Sequence, residues 1–162
     1  MKHWVERAPE IAYLLNPAFC ARLLLKAIKS YEKESKRKMP YSLIYLILPI
    51  VLHKETRNKA NSKSKMLSFL GKNPELLVGF AERAKSLVQI TNEALIYLLS
   101  SKLVFIDKNG GIGLNPKIKT LSETKYSAGD VKKCLSCSEA VGKWFARSGD
   151  EKTIYISWGV KP

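Results

Sequence analysis

Residues 91–114, TNEALIYLLSSKLVFIDKNGGIGL, hold the pattern that decides the predicted fold. A threonine is well suited to cap a helix over Asn92 to Ser101, because its hydroxyl can accept a free backbone N–H group. Leu103 to Ile106 follows as an apolar strand, Asp107 to Gly111 has turn residues, and Ile112 to Leu114 returns as a second strand. The stretch therefore predicts a short helix that leads into a small β-hairpin.

Two further short helices precede this unit. One is predicted over Lys65 to Gly71, and a second starts at Asn73-Pro74, where an asparagine cap meets a proline in the first turn, and continues to Leu87. Three short helices closed by a hairpin are the order of a winged helix-turn-helix. The central part of the chain, residues 62–115, therefore predicts a winged-helix-like core.

The flanking regions predict additional helices. Asn16-Pro17 starts a helix expected to reach Lys38, and the apolar segment Tyr41 to His53 predicts a buried helix interrupted at Pro49, followed by a polar loop. A last helix is expected from Ser127 or Asp130 to Arg147, and Thr153 to Trp158 reads as a strand that joins the small sheet. Together these segments predict a mainly α-helical, single compact domain over residues 1–162, with N-terminal helices (1–60) and a C-terminal helix plus strand (127–162).

The charge of the chain points to a polyanionic partner. Its 162 residues include 28 Lys and Arg against 14 Asp and Glu, a net charge of +14, while 46% hydrophobic residues are enough to fill a core. Residues 1–60 carry 12 basic and 5 acidic side chains, so a net +7, half of the excess, lies in the first third. Nucleic acid or an acidic protein face fits this balance.

The first predicted helix concentrates this charge on one side. Its basic residues are spaced by three or four positions and so share one face: Arg22, Lys26, Lys29, Lys33 and Lys36. One interpretation is a stripe that binds DNA or another polyanion. The alternative is an ordinary solvated face, relieved by pairs between Glu32 and Lys36 and between Glu34 and Lys38.

The sequence has no pattern typical of a catalytic or metal site. Cys134 and Cys137 form a lone CxxC at helical spacing, which favours packing over zinc or redox chemistry. His53 has no paired nucleophile, and the Asp107 turn lacks the motif of a phosphate-binding loop. We therefore expect no enzymatic activity, no cofactor and no metal.

No membrane segment is expected either. The longest apolar stretch, Leu43 to Leu52, is ten residues, against about 20 needed to span a bilayer. The N-terminus lacks the apolar segment of an export signal, and three cysteines in so long a chain do not suggest a disulfide scaffold. These features predict a cytoplasmic protein.

The helix over Asn92 to Ser101 is poorly equipped to read DNA sequence. It carries few of the Arg, Lys, Asn and Gln side chains that contact base edges, and its apolar residues are more typical of a helix covered by protein. Trp4, Trp144 and Trp158 could stack on single-stranded bases, but Trp144 lies on a predicted core face and Trp158 ends a predicted strand. A winged helix used for protein docking is the preferred interpretation.

Five blocks of the sequence, spread over nearly the whole chain, also resemble a known family. They are EIAYLLNPAFCA (10–21), LILPIVLHKETR (46–57), GFAERAKSLVQITNEALIYLL (79–99), VGKWFARSG (141–149) and TIYISWGVKP (153–162). The chain is similar in these blocks to the middle component of three-component ABC ATPase systems, which include the Lamassu-type bacterial anti-phage and anti-plasmid systems. The NPAFC, LPxVLHK and FAERA motifs are the most specific part of this resemblance.

The resemblance implies a small, non-enzymatic winged-helix subunit that joins an SMC-like ABC ATPase to an effector, often a nuclease. It leaves open whether the basic helix contacts double-stranded DNA or an acidic partner. Candidate docking or motif residues are Asn16, Pro17, Phe19, His53, Lys54, Arg57, Phe80, Arg83, Tyr97, Trp144 and Trp158. The alternative function is a stand-alone winged-helix transcriptional regulator.

Overall fold

A computed structural model describes residues 15–116 and 129–161. The elements in these two ranges are mainly helical. They are α1 (Pro17–Ser35), β1 (Met39–Pro40), a 3₁₀ turn (Tyr41–Leu43), α2 (Ile44–Val51), α3 (Lys54–Lys59), α4 (Met66–Lys72), a second 3₁₀ turn (Pro74–Leu77), α5 (Phe80–Ser86), α6 (Val88–Ser100), β2 (Val104–Ile106), β3 (Gly111–Leu114), α7 (Asp130–Arg147) and α8 (Glu151–Ser157). Trp4, Ser127 and most of the predicted polar linker after Asn115 lie outside the described residues.

Helix α1 begins where the sequence predicts. The Asn16 side-chain oxygen accepts hydrogen bonds from the backbone N–H groups of Ala18 at 2.8 Å and Phe19 at 3.4 Å, and Pro17 occupies the first turn. The helix ends earlier than the predicted Lys38, because Lys36 adopts a left-handed conformation with φ of 58°. The residues that follow enter a strand.

That strand, β1, was not predicted from the sequence. Met39 pairs with Ile112 and Pro40 with Gly111, while β2 pairs with the other side of β3, so the antiparallel sheet has the order β1-β3-β2. The hairpin β2–β3 is confirmed, with Val104 opposite Leu114. A strand of two residues that contains a proline has no sequence signature of its own, since only its partner strand makes it a strand.

The apolar segment after β1 differs from the helix predicted over Tyr41 to His53 with an interruption at Pro49. It divides into a 3₁₀ turn and α2, which continues through Pro49 for two residues and is buried along nearly its whole length. The predicted polar loop over Asn58 to Ser64 is also partly wrong, because α3 occupies Lys54–Lys59 and so includes the first two residues of that loop. Thr56 and Arg57 of α3 are buried, and this burial explains why a polar sequence is ordered as a helix.

The predicted helix from Pro74 to Leu87 is broken in two. Gly79 takes a φ of 70°, a left-handed conformation that other residues adopt at a cost, and it separates the second 3₁₀ turn from α5. Helix α6 then begins at Val88, four residues before the predicted start, and Thr91 lies buried inside it rather than at its cap.

The C-terminal region is helical throughout its described part. Helix α7 agrees with the prediction from Asp130 to Arg147, but the predicted strand over Thr153 to Trp158 is wrong. Asp150 caps α8 by accepting a hydrogen bond from the Thr153 N–H group at 2.8 Å. Ile154 and Trp158, four residues apart, both face the core, so tertiary packing overrides the β-branched composition of the segment.

Helix α1 lies at the centre of the packing, in contact with both α6 and α7. The approach to α7 is close at Gly142, where an added Cβ would lie 2.3 Å from the carbonyl oxygen of Ala27. At the same crossing the Ser30 hydroxyl donates to the Glu139 carbonyl oxygen at 2.8 Å. This contact places the solvent-facing side chains of α1 and α7 next to each other.

Candidate interaction surfaces

The basic residues of α1 lie opposite its buried face. The residues buried against the core include Cys20, Leu24, Ala27 and Tyr31. On a helical wheel of α1, the basic stripe is centred about 180° from these residues. Lys29, Lys33 and Lys36 are exposed, whereas Arg22 and Lys26 are half-buried. The stripe is therefore a real surface of the fold.

The carboxylates of α1 are directed to other elements instead of to this stripe. Glu34 pairs with Arg147 of α7 at 2.7 Å, and the Glu32 carboxylate accepts a hydrogen bond from the Leu114 N–H group of β3 at 3.1 Å. Lys38 pairs with Asp107 at 3.2 Å. The expected pairing of Glu34 with Lys38 is thus replaced by contacts between elements.

Helix α7 adds a cation and an anion to the stripe. Lys143 Nζ lies 2.8 Å from Glu139 Oε1, and Lys26 Nζ lies 3.8 Å from Glu139 Oε2. The hydrogen bond from Lys143 is the main cause that lowers the pKa of Glu139, and the charges of Lys26 and Lys33 lower it further. We call Lys26, Lys29, Lys33 and Lys143 the α1–α7 basic surface.

Lys143 was not among the sequence-predicted binding residues. Its own helix shows only an ordinary polar face, and nothing in the linear sequence places that face beside the stripe on α1. The signal becomes visible only when the Gly142 contact brings the two helices together.

Helix α6 presents a different kind of surface, one of large apolar side chains in contact with solvent. Ile96 is 62% exposed, Tyr97 46% and Val88 40%. We call these three residues, which are spread across the solvent-facing half of the helix, the α6 apolar surface. Asn92 lies on the same exposed side, but its side-chain oxygen accepts a hydrogen bond from the Tyr45 hydroxyl at 2.8 Å, and Tyr45 in turn bonds Tyr41 at 2.8 Å.

The hairpin turn is held by hydrogen bonds from its backbone to the Asp107 side chain. Asp107 Oδ1 accepts hydrogen bonds from the N–H groups of Asn109 at 2.8 Å and Gly111 at 2.9 Å, and these bonds lower the pKa of the carboxyl. Lys38 Nζ lies 4.9 Å above the ring of Phe105, which is partly exposed on β2. This arrangement agrees with the prediction of a turn.

Two of the sequence motifs meet at the end of α2. Arg83 of the FAERA motif donates from Nε to the carbonyl oxygen of Pro49 at 3.1 Å. Arg57 donates from Nη1 to the carbonyl oxygen of Leu52 at 2.9 Å. Both guanidinium groups therefore satisfy carbonyls at a helix C-terminus, where no backbone donor is available.

His53 lies at the same helix end. Its Nδ1 is 2.8 Å from the Thr56 hydroxyl, and burial, together with the charges of Arg83 and Arg57, lowers its pKa. Lys54, the next residue, is exposed. The motif residues His53, Arg57 and Arg83 thus form one structural cluster although 30 positions separate the first from the last.

These motifs belong to a match that extends over almost the full chain. The family model described as ABC-three component (ABC-3C) system Middle Component 3 matches residues 4–162. The chain belongs to the ABC-3C middle component 3 family. Comparison with curated proteins and with solved structures gives no significant match.

The resemblance inferred from the sequence is thereby confirmed at the level of the middle component. The remaining candidate residues of this middle component are mostly structural. Phe80, Trp144 and Trp158 are fully buried, with ring centroids 4.6 Å apart for Phe69 and Trp144 and 4.7 Å apart for Phe80 and Trp158. They are therefore core residues in this conformation and do not present a docking or base-stacking surface. Among the candidate motif and docking residues, Tyr97 remains on an apolar surface.

Asn16 and Pro17 act at the start of α1, and Phe19 is half-buried against the core. The cysteines of the middle component are also core residues. Burial raises the pKa of Cys20 and of Cys137 to about 12, and it raises that of Cys134 as well. Thiols in this state are weak nucleophiles and weak metal ligands.

Within residues 15–116 and 129–161, the side chains form no cluster of three or more potential metal ligands. None of the helices in the same two ranges combines the length and apolar character that a membrane span requires.

Proposed function

We propose that this chain is a non-catalytic accessory subunit of a Lamassu-type defence system, in which it connects an SMC-like ABC ATPase to an effector in the cytoplasm. The α6 apolar surface carries this proposal. Ile96, Tyr97 and Val88 expose large side chains in a chain whose family is a middle component of a multi-component system. Tyrosine is enriched at protein interfaces and among their hot spots, and exposed apolar patches mark interaction sites.

The arrangement around α6 supports a winged-helix architecture. Helix α1 is followed by β1, the intervening helices, α6 and the hairpin, and β3 lies between β1 and β2. In a winged helix the helix before the hairpin is the one that enters the DNA major groove. Here that helix is α6.

The chemistry of α6 favours a protein over base readout. Its exposed side carries the large side chains of Ile96 and Tyr97, and the side-chain oxygen of Asn92 is already bonded to Tyr45. Base discrimination requires amide or guanidinium groups that are available to base edges. We therefore assign the α6 apolar surface to the ATPase subunit.

The α1–α7 basic surface supports a second contact, with double-stranded DNA. Lys29 and Lys33 are exposed along one side of α1, and Lys143 extends this side onto α7. Lysines that contact phosphates bind without sequence preference, and the affinity falls steeply with salt because counterions are released. In the proposed complex this chain assists DNA binding by the ATPase.

The docking proposal is tested by capturing the tagged chain from its native host, with and without nuclease. We expect the ATPase to co-purify in both cases, since the contact is between proteins. Ile96→Asp should lower its recovery by about 30-fold or more, the effect of losing an interface hot spot. Ile156→Asp is the matched control, because Ile156 on α8 is 60% exposed against 62% for Ile96.

Recovery of the chain alone, or of the ATPase only without nuclease, would contradict the subunit proposal and favour a stand-alone DNA-binding regulator. Equal losses for Ile96→Asp and Ile156→Asp would contradict the assignment of the α6 apolar surface while leaving the subunit proposal in place.

A further inference from the structure

Glu139 lies among the lysines of the α1–α7 basic surface. Its two carboxylate oxygens contact two of them, Lys143 on the same helix and Lys26 on the neighbouring helix. The Glu139 side chain is 42% exposed, and each lysine side chain is 25% exposed. A negative charge thus lies, open to solvent, between cations from two helices.

The position of Glu139 is fixed by the backbone and not by its ion pairs. The buried Ser30 hydroxyl of α1 donates to its carbonyl oxygen, three residues before the close contact at Gly142. The backbone of Glu139 therefore stays beside the cations whether or not they bond to its carboxylate. Ion pairs at an exposed surface contribute little to stability, so the two contacts are readily exchanged for others.

The surface has the dimensions of a short length of DNA backbone. Lys26 and Lys33 are seven residues apart on α1, a distance of about 10 Å along the helix axis. Successive phosphates of one strand advance about 3.4 Å along the duplex axis and are farther apart than that in space, because the strand winds around the axis; this length of α1 can therefore contact at most about three phosphates. A phosphate carries oxygen acceptors equivalent to those that Glu139 offers to Lys26 and Lys143.

We propose that Glu139 is an internal counter-ion that occupies the place of a DNA phosphate, and that Lys143 belongs to the DNA-binding surface. In the unbound protein Glu139 holds Lys26 and Lys143 side by side. When a duplex binds, its phosphates exchange with the carboxylate as the acceptors of the two ammonium groups. Glu139 thereby lowers the affinity of the surface for DNA.

This inference rests on the DNA contact in the proposed function, and it makes a prediction of opposite sign for two neighbouring residues. Glu139→Gln should tighten binding to a short fluorescent duplex by about fivefold, the effect of removing one unit charge about 4 Å from a phosphate in water. The slope of log K against log salt should steepen by about one to two. Lys143→Gln should weaken binding and make the slope shallower by about one.

The matched controls are Glu75→Gln and Lys59→Gln. Glu75 and Lys59 also form a solvent-exposed pair, at 2.6 Å, and the substitutions change the net charge by the same amounts. We expect both control proteins to bind the duplex like the wild type. Circular dichroism should give the same helix content for all five proteins, because a lost surface ion pair costs only about 0.2–1 kcal/mol.

Equal gains for Glu139→Gln and Glu75→Gln would show that only net charge matters and would overturn the inference, while the proposed DNA contact would stand. An unchanged affinity in Glu139→Gln would overturn it in the same way. If neither the wild type nor Glu139→Gln binds the duplex at about 50 mM salt, both the inference and the DNA contact are wrong. Tighter capture of an acidic protein with no change for DNA would likewise overturn the choice of DNA.

Discussion

The α1–α7 basic surface includes the central helix α1 itself, and the α6 apolar surface lies on a helix that packs against α1, yet the two surfaces are built in opposite ways. The basic surface is assembled from two helices and carries its own counter-ion, Glu139. The α6 apolar surface comes from one helix and has exposed side chains that the fold does not cover. The difference indicates that the arrangement of the basic surface depends on the packing of α1 against α7. The α6 apolar surface depends only on the side chains that α6 itself carries.

The largest expected effect breaks the assembly of the basic surface. Gly142→Ala places a Cβ 2.3 Å from the Ala27 carbonyl oxygen, and neither backbone can yield without separating α1 from α7. We expect a loss of about 3 kcal/mol in the free energy of unfolding, measured by urea denaturation. Gly71→Ala, where an added Cβ meets nothing within 4 Å, is the control and should be neutral or slightly stabilising.

A second prediction concerns the support beneath α6. Tyr45→Phe removes the hydroxyl that donates to Asn92 and should lower the free energy of unfolding by about 1 kcal/mol. Tyr41→Phe keeps the bond to Asn92 and should cost less. A larger loss of stability for Tyr41→Phe in the same denaturation experiment would contradict this order and show that the Tyr41 hydroxyl is the more important of the two.

The α6 apolar surface itself should contribute little to folding. Ile96→Asp changes a side chain that is mostly in solvent, so we expect the free energy of unfolding to stay within about 0.5 kcal/mol of the wild type. Denaturation of the two proteins under identical conditions checks this. A loss comparable to that of Gly142→Ala would mean that the side chain is part of the fold, and the contrast between the surfaces would disappear.

The smallest expected effect is a pH dependence that belongs to neither surface. Because burial and Arg83 lower the pKa of His53, the unfolded chain binds a proton more readily than the folded one. The associated stability is present above the unfolded value of 6.5 and is lost as the pH falls through the folded value. His53→Gln should show a smaller loss of stability than the wild type between about pH 7.5 and about pH 5.5. An identical loss in both proteins would assign the effect to other groups.

The sequence predicted those elements whose signals are local. The cap at Asn16-Pro17, the α7 helix and the β2–β3 hairpin were each visible from residues close together in the chain, and the structure confirms them. Strand β1 was missed because it exists only through its pairing with β3, 73 residues away from Met39 at Ile112. The segment ending at Trp158 was wrongly expected to be a strand, because its Ile and Tyr content favours one until the core claims Ile154 and Trp158 at helical spacing.

The candidate surfaces follow the same rule. Periodicity alone placed the α1 lysines on one face, but it did not indicate that Glu139 and Lys143 complete the surface, because that requires the crossing of two helices far apart in sequence. The sequence singled out Arg57 and Arg83 as candidate docking or motif residues. Their contacts with the α2 carbonyls give these residues a structural explanation that spacing could not supply.

The contact between α1 and α7 also constrains how the chain is made. The bond from Ser30 to Glu139 joins residues 109 positions apart, so the part of α1 that packs against α7 lacks this partner until about 109 further residues have been synthesised. At about 5–20 residues per second, that interval lasts about 5 to 20 s. During this time α1 can already pack against α2 and α6, so the contact with α7 is the last of these three that synthesis makes available.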